Sequence, residues 1–355
     1  MSKPKEAPAE AGEGAAEASD AHACGVDADG AVACRARLFG PDARVRELAC
    51  GDLDSVCPEG DALLWIDLRQ ADEDTLRLVW AGCRLPDDML AALAAEDADP
   101  TPRLERFGTH FLVRAIAVVE DGPDGVKGAP LTLMAGDNIV VSVHERDIPF
   151  IDDLLSREAV ASHIGQLGSA SFVAALLDWQ LSTYFDAVAR FEAGVDLLEQ
   201  AILSERARSC LPRLRQMRKA ASRLRRLLAP HRAVFGALSR PDFRHDDRPE
   251  TERHFEALDT RFERAMDMVE HARNLVVGSF ELFSSQTALR TDRSMRVLTF
   301  VTVITGLLAT VAGVLGMNFS ARVFDAGDAG FVVAVLGMLL FGGGSVVLAR
   351  ARGWF

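Results

Sequence analysis

Apolar and polar positions follow one period before about residue 160 and another after it. In the first part, short apolar runs alternate with turn residues, which is typical of strands. Helical patterns intervene at Asp72 to Ala81 and at Pro86 to Ala95, where Pro86 suits a helix start. Gly136-Asp137-Asn138 is a predicted hairpin turn. Residues 31–160 are therefore predicted to form an α+β domain, whose strands are Ala31 to Leu38, Leu63 to Leu68, Phe111 to Val119, Leu131 to Met134 and Ile139 to His144.

Beyond residue 160 apolar residues recur every three or four positions, the period of amphipathic helices. A second helix, Leu211 to Leu228, is apolar on one side and rich in arginine on the other, and Pro230 interrupts it or starts the next segment. We interpret the arginine-rich side as solvated or salt-bridged. Residues 161–248 are thus a predicted helical region, and its first apolar stripe comprises Tyr184, Val188, Phe191, Val195, Leu198 and Ile202.

A third helical pattern starts near Glu250, and no proline follows Pro249. A helix from Glu250 to Met317 would be about 100 Å long at about 1.5 Å per residue. Residues 249–296 form its predicted stalk, which we expect to pack against a partner helix of this chain or of another copy. The heptad positions are Phe255, Leu258, Phe262, Ala265, Val269, Ala272, Val276 and Phe283.

Two uncharged apolar runs, Val297 to Phe319 and Phe331 to Ala349, are each long enough to cross a bilayer, because about 20 residues suffice. We predict spans at 297–317 and 330–349, an outer loop at 318–329 and a basic end at 350–355. Basic residues flank both runs on the same side, which predicts cytosolic termini and a protein of the inner (plasma) membrane. These residues are Arg290, Arg293, Arg296, Arg350 and Arg352.

Composition limits the function classes. The net charge of -13 over 355 residues disfavours a nucleic-acid partner. Residues 1–30 are predicted to be a disordered acidic tail. Six cysteines without C-x-x-C spacing favour a reducing compartment. There is no Gly-rich phosphate loop, nucleophile elbow or HExxH pair, so the sequence predicts no enzyme and no cofactor.

One face of the first span carries mostly small side chains: Met295, Leu298, Thr302, Gly306, Ala309 and Gly313 succeed one another at three or four residues. This spacing fits close helix packing of the small-xxx-small kind. It equally fits a pore lining whose small side chains leave a channel. Periodicity alone favours packing, because one or two spans enclose no pore without oligomerisation.

Two segments carry a family resemblance: Met295-Arg296-Val297-Leu298-Thr299 before the first span, and Gly313-Val314-Leu315-Gly316-Met317-Asn318-Phe319 at its end. They resemble the CorA family of divalent-metal transporters, including its zinc-transporting ZntB branch. The likeness covers most of the chain, since further segments also resemble the family: Pro102 to Phe107, Asn138 to Glu145, Leu224 to Arg232 and Arg350 to Phe355.

The resemblance implies a funnel-shaped homopentameric channel in the lipid bilayer, which reverses the preference for packing. Gly316, Met317 and Asn318 would form the pore mouth. The first spans would line the pore and its gate with Asp292, Met295, Leu298, Thr302, Gly306, Ala309 and Gly313. Magnesium, with cobalt, is the implied cargo. Zinc transport, coupled to protons or not, is the alternative, and a non-conducting membrane-anchored scaffold or sensor is the alternative of another class.

This chain departs from the family pattern at several positions. Leu307 stands where many members have proline, Leu315 where an aromatic is common, and Gly306 where some have a bulky apolar gate. The outer loop lacks the common Met-Pro-Glu-Leu sequence, so Asp325 and Asp328 are its only acids. The sequence does not distinguish whether these two acids capture cations or are only solvated.

Magnesium-sensing members hold paired acids between cytosolic domains, and this chain has Ala94 and Ala257 at those positions. A shifted metal site would use the nearby acids Glu96, Asp97, Glu256 and Asp259. Acids on exposed helix faces are more often only solvated. Phe319 favours magnesium, whereas the missing sensor acids favour a zinc-type relative, so the ion stays open.

Overall fold

The computed structural model describes residues 34–40, 45–56, 62–94, 101–122, 125–156, 164, 167–204, 210–243, 248–317 and 327–354. The chain forms two compact units. The first comprises Met1–Gly194 with Gln216–Asn274, and the second Val195–Arg215 with Leu275–Phe355.

A seven-stranded sheet organises the first unit, in the spatial order β2-β1-β3-β7-β6-β5-β4. Only the central pair β3 and β7 is parallel, and the other neighbours are antiparallel. Every residue from Leu63 to Leu68 is buried, as expected for a strand covered on both faces. The strands are β1 Cys34–Phe39, β2 Val45–Leu48, β3 Leu63–Arg69, β4 Arg103–Phe107, β5 His110–Glu120, β6 Val126–Ala135 and β7 Ile139–His144.

Eight helices of more than six residues lie in the described ranges: α1 Glu73–Cys83, α2 Asp87–Ala94, α3 Pro149–Ser156, α4 Ser169–Leu203, α5 Cys210–Leu228, α6 Arg232–Leu238, α7 Pro249–Leu315 and α8 Gly327–Ala351. Asp72 caps α1, because its side chain accepts the backbone N–H of Thr75 at 2.8 Å. Pro230 ends α5 as predicted, within a short 3-10 turn at Ala229–His231.

The two faces of the sheet pack against different helices. On one face, Ile66 and its neighbours join a buried cluster with Trp80 of α1 and Met89 of α2. On the other, Phe172 of α4 contacts Trp65, with ring centroids 5.2 Å apart. Burial on both sides fixes the register, since a shift of one residue would exchange the faces.

Side chains from the helices complete the edge of β5. β4 pairs with β5 only as far as Arg114, so among the described residues no strand pairs with Ile116 on that side. The Ile116 N–H donates to His231 Nε2 at 2.9 Å. Gln180 Nε2 and Tyr184 Oη donate to its carbonyl at 2.6 and 3.0 Å. These bonds satisfy buried backbone groups where the sheet ends.

The apolar stripe of α4 is confirmed, and so is that of α7 except at Phe283, which is only half-buried. All six predicted residues of α4 are buried, and so are the heptad residues of α7 from Phe255 to Val276. Phe262 contacts Phe235 of α6 with ring centroids 5.1 Å apart. The partner of the α7 heptads from Phe255 to Ala272 therefore lies within the same chain.

One disulfide lies in the described residues, between Cys34 of β1 and Cys50 of the 3-10 turn Cys50–Ser55, with Cα atoms 6.4 Å apart. This bond does not agree with the prediction of a reducing compartment, which rested on the absence of a disulfide framework; 16 residues separate the pair and no motif marks them. Both cysteines are buried. Their proximity arises from the sheet rather than from local spacing.

Candidate pore-lining face

Two helices of the second unit are long and apolar enough to cross a membrane: the last part of α7, and α8. None of the residues in their most apolar windows is buried within the single chain. Large apolar side chains are exposed along both, including Leu298, Val303 and Phe331. Such surface is stable in lipid or against other protein rather than in water.

One face of α7 packs against α8. The half-buried residues of this segment are Val297, Phe300, Ile304 and Leu308, which share a face. Leu308 Cδ1 lies 3.6 Å from the point where a Cβ on Gly342 would stand. Phe300 contacts Trp354 with ring centroids 6.3 Å apart.

The small residues that support this contact belong to α8. The buried and half-buried residues of α8 are separated by four positions, or once by three, so they form one stripe along the helix. Small side chains permit close approach of membrane helices. The packing role that periodicity had favoured for α7 thus belongs to α8, through Gly330, Ala334, Met338, Gly342, Ser345 and Ala349.

The predicted pore residues of α7 lie on the opposite face. At about 100° per residue they fall within an arc of roughly 120°, turned away from the residues that contact α8. All seven are exposed: Asp292, Met295, Leu298, Thr302, Gly306, Ala309 and Gly313. We call this set the open face of α7.

The small residues of the open face have few neighbours outside α7. The Thr302 hydroxyl donates to the Leu298 carbonyl at 2.8 Å, so its polar hydrogen is satisfied inside the helix. A Cβ added at Gly306 or Gly313 would meet nothing within 4 Å. The face is therefore open around its glycines, and its larger residues, Met295 and Leu298, lie at the end nearer the stalk.

Asp292 is the charged member of the open face. Its carboxylate pairs with Arg296 one turn later, with Oδ2 and Nη2 2.5 Å apart. Both side chains are more than half exposed, so the pair is weak in solvent. Sequence reasoning used Arg296 only to orient the span in the membrane, although its i, i+4 spacing from Asp292 indicated this pair.

The end of α7 leads into the motif of the predicted pore mouth. The helix ends at Leu315. Gly316 N–H donates to the Ala312 carbonyl at 2.9 Å and Met317 N–H to that of Val314 at 3.2 Å. Asn318 and Asp325 lie outside the described residues. Asp328 is exposed in the first turn of α8, where a carboxylate favours the helix dipole.

The shifted metal site stays a prediction. Glu256 is exposed and Asp259 half-buried on the stalk, while Glu96 and Asp97 lie outside the described residues. Among the residues that the structure describes, no group of three potential ligands gathers in a metal-binding arrangement. Ala94 and Ala257 are both exposed.

A serine, a histidine and an aspartate do meet in the sheet, but not as a catalytic triad. Asp67 Oδ1 accepts from Ser142 Oγ at 2.6 Å and contacts His144 Nε2 at 3.2 Å. All three are buried. Burial opposes the charge of Asp67, yet its bonds to His144 and Ser142 and the charge of Arg35 hold its pKa below the usual value. Serine and histidine both bind the carboxylate, so no base activates the hydroxyl.

A sheet unit and a second unit with two candidate spans define a membrane protein with a helical hairpin. The chain belongs to the family of CorA-like Mg2+ transporter proteins, whose model matches residues 60–349. The cobalt/magnesium transport protein CorA of Thermotoga maritima is 24% identical over 220 residues, which are 61% of this chain and 62% of that protein. The match thus spans less than two thirds of that relative.

Solved structures share the fold. The CorA magnesium transporter from Methanocaldococcus jannaschii superposes with a TM-score of 0.71 at 20% identity, covering 91% of this chain and 99% of that one. The ZntB cytoplasmic domain from Vibrio parahaemolyticus gives 0.56 at 12% identity, covering 72% of this chain and 97% of that one. The resemblance to the CorA and ZntB group is confirmed.

Proposed function

We propose that this chain is one subunit of a homopentameric channel that passes divalent cations across the plasma membrane. The observation that carries the proposal is the open face of α7. It is exposed on the side away from α8, and α8 uses its own small residues for packing. Five such faces around one axis would enclose a pore, which a single hairpin does not.

In this arrangement the pore selects a hydrated ion. Asn318 and the Gly316 carbonyl from five copies would form a ring of neutral oxygen acceptors at the outer mouth. Mg2+ dehydrates reluctantly, so such a ring would hold the hydration shell by hydrogen bonds. Met295 and Leu298 would form the apolar constriction that closes by dewetting.

Magnesium is the first candidate cargo, with cobalt beside it, because the family model and the Thermotoga maritima relative carry these ions in their names. Zinc transport, with or without proton coupling, is the second candidate. Alanines at positions 94 and 257 favour it, since the paired acids of magnesium sensing are missing there. Both termini would lie in the cytosol.

Flux into liposomes tests the proposal. We expect purified protein to pass Mg2+ or Co2+ down a gradient, and Asn318→Ala to abolish that flux without changing the oligomeric mass. Asn274→Ala is the matched control, because Asn274 is an exposed amide on the stalk part of α7. Parallel runs with Zn2+, with and without a proton gradient, separate the two cargo candidates.

Failure of all three metals to cross would contradict the proposal. It would instead support a non-conducting scaffold or sensor. A normal flux in Asn318→Ala would still support transport by this protein, but it would contradict the proposed role of Asn318 in the pore mouth.

A further inference from the structure

Helix α5 is strongly basic within an acidic protein. Its 19 residues include seven Arg and Lys and no Asp or Glu, whereas the whole chain carries -13. Five of these bases are exposed on the part of α5 that belongs to the first unit, and four of the five lie together on one side of the helix: Arg218, Lys219, Arg223 and Arg226. They fall within an arc of about 140° at about 100° per residue. We call them the basic face.

The basic face is not part of the core. The other side of the helix is buried through Met217, Ala221 and Leu224. Arg225, beside the basic face, pairs with Glu270 of α7. The four residues of the basic face make no ion pair with any residue in the described ranges. Four neighbouring like charges repel one another, so a polyanion on this face would be stabilising.

The chain itself supplies a matching polyanion. Residues 1–30, which precede the described residues, contain seven acids and two lysines; the acids are Glu6, Glu10, Glu13, Glu17, Asp20, Asp27 and Asp29. Thirty residues span up to about 100 Å when extended, so the tether allows the segment to reach α5. A covalent tether gives effective concentrations on the order of millimolar, at which weak ion pairs suffice.

We propose that the basic face of α5 binds the acidic segment 1–30 of the same or a neighbouring copy. Charge complementarity selects this occupant. Nucleic acid would be repelled by the strongly negative remainder of the protein, whereas the segment is held nearby by its own chain.

Protease access to the segment measures the contact. Endoproteinase Glu-C cuts after glutamate, and four of the seven acids are glutamates between residues 6 and 17. We compare full-length protein in detergent with the variant Arg218→Gln/Lys219→Gln/Arg223→Gln/Arg226→Gln at low salt. Loss of four exposed ion pairs of ordinary strength predicts roughly tenfold faster cleavage of the segment. A trace of isotope-labelled peptide 1–30 in the same tube corrects for protease activity.

The control removes the same charge elsewhere. Arg46, Arg146, Arg253 and Arg264 are exposed, and their fourfold change to Gln should leave cleavage at the wild-type rate. Raising NaCl to about 0.5 M should accelerate cleavage in the wild type, because screening shortens the Debye length below about 5 Å. The salt experiment uses only the wild-type protein, so misfolding of a variant cannot affect it.

Equal cleavage rates in all proteins and at both salt concentrations would overturn the proposal. So would equal acceleration by the control variant, since the effect would then follow net charge. Unchanged cleavage together with binding of the wild type, but not the variant, to phosphatidylserine vesicles would assign the basic face to lipid instead.

Discussion

His231 shows how one buried side chain can connect a helical segment to a sheet. It is completely buried, and its Nε2 accepts the Ile116 N–H. Nδ1 therefore carries the proton and donates to the Leu228 carbonyl at 3.1 Å. Burial lowers the pKa of His231 to about 4, so the ring stays neutral at physiological pH.

Replacing His231 should destabilise the protein. In His231→Leu the buried Ile116 N–H loses its acceptor, which costs about 1–3 kcal/mol. The melting temperature of the full chain in detergent at pH 7 should fall by several degrees. His231→Gln, whose carbonyl oxygen is an alternative acceptor, should lose less. Equal losses in both variants would contradict a role for the acceptor.

The same residue predicts a pH dependence. Between pH 6.5 and about 4 the unfolded chain binds a proton at this position and the native chain does not. Stability from His231 is thus complete above pH 6.5 and falls as pH drops toward about 4, by roughly 3 kcal/mol in all. His231→Gln should remove this part of the pH slope; an unchanged slope would mean that other groups cause it.

Asp292 and Arg296 allow an electrostatic test of the proposed pore. Asp292→Asn should lower divalent flux several-fold, because a ring of carboxylates concentrates cations. Arg296→Gln should raise flux or leave it unchanged, since it frees Asp292 from its partner. Opposite changes of flux in the two variants would show that the charge at this position controls the flux. A fall of the same size in both variants would indicate a structural role for the pair.

Among the elements, those with a buried face could be predicted from sequence. β3, β5, β7, α1, α2 and the long α7 follow their apolar periods, and α7 begins and ends within two residues of its predicted bounds. β2 and β4 did not stand out. They are edge strands with charged residues, and none of their residues is buried. Hydrogen bonds to β1 and β5 define them, and such long-range pairing leaves no local pattern.

The helical hairpin shows a second limit. Periodicity favoured packing for the small residues of α7, but α8 also carries small residues at helical spacing. The half-buried stripe of α8, with Leu308 of α7 close to Gly342, assigns packing to α8. The periodicity of one chain does not show whether another copy lies against the open face of α7.

A side chain added to the open face should obstruct transport without disturbing the helix. Gly306→Val would point into space that is empty for at least 4 Å around its Cβ, and we expect a large loss of flux in liposomes. Gly343→Val is the matched control, because its Cβ also has open space on the side of α8 away from α7. Similar losses in both variants would show that β-branching in a span, rather than pore obstruction, is responsible.

At the scale of the whole molecule, the exposed surface of α7 predicts assembly. The open face continues into the stalk as a hollow of about 590 Å3, lined by Phe280, Phe283, Ser284, Thr287, Ala288, Thr291, Asp292 and Met295. Phe280 is 53% exposed and Met295 60% exposed in the single chain. Apolar side chains in a contiguous surface of this kind mark an interface.

Native mass spectrometry should therefore find five copies of the 38.4 kDa chain, about 192 kDa. Phe280→Asp should shift this population toward monomers, because a carboxylate would be buried between copies without a partner. Leu289→Asp is the control: Leu289 is 61% exposed but lies about 180° from Phe280 around α7. A monomeric wild type would contradict the pentamer. Dissociation by both variants alike would mean that charge anywhere on the stalk disrupts assembly, and that the hollow is not the contact between copies.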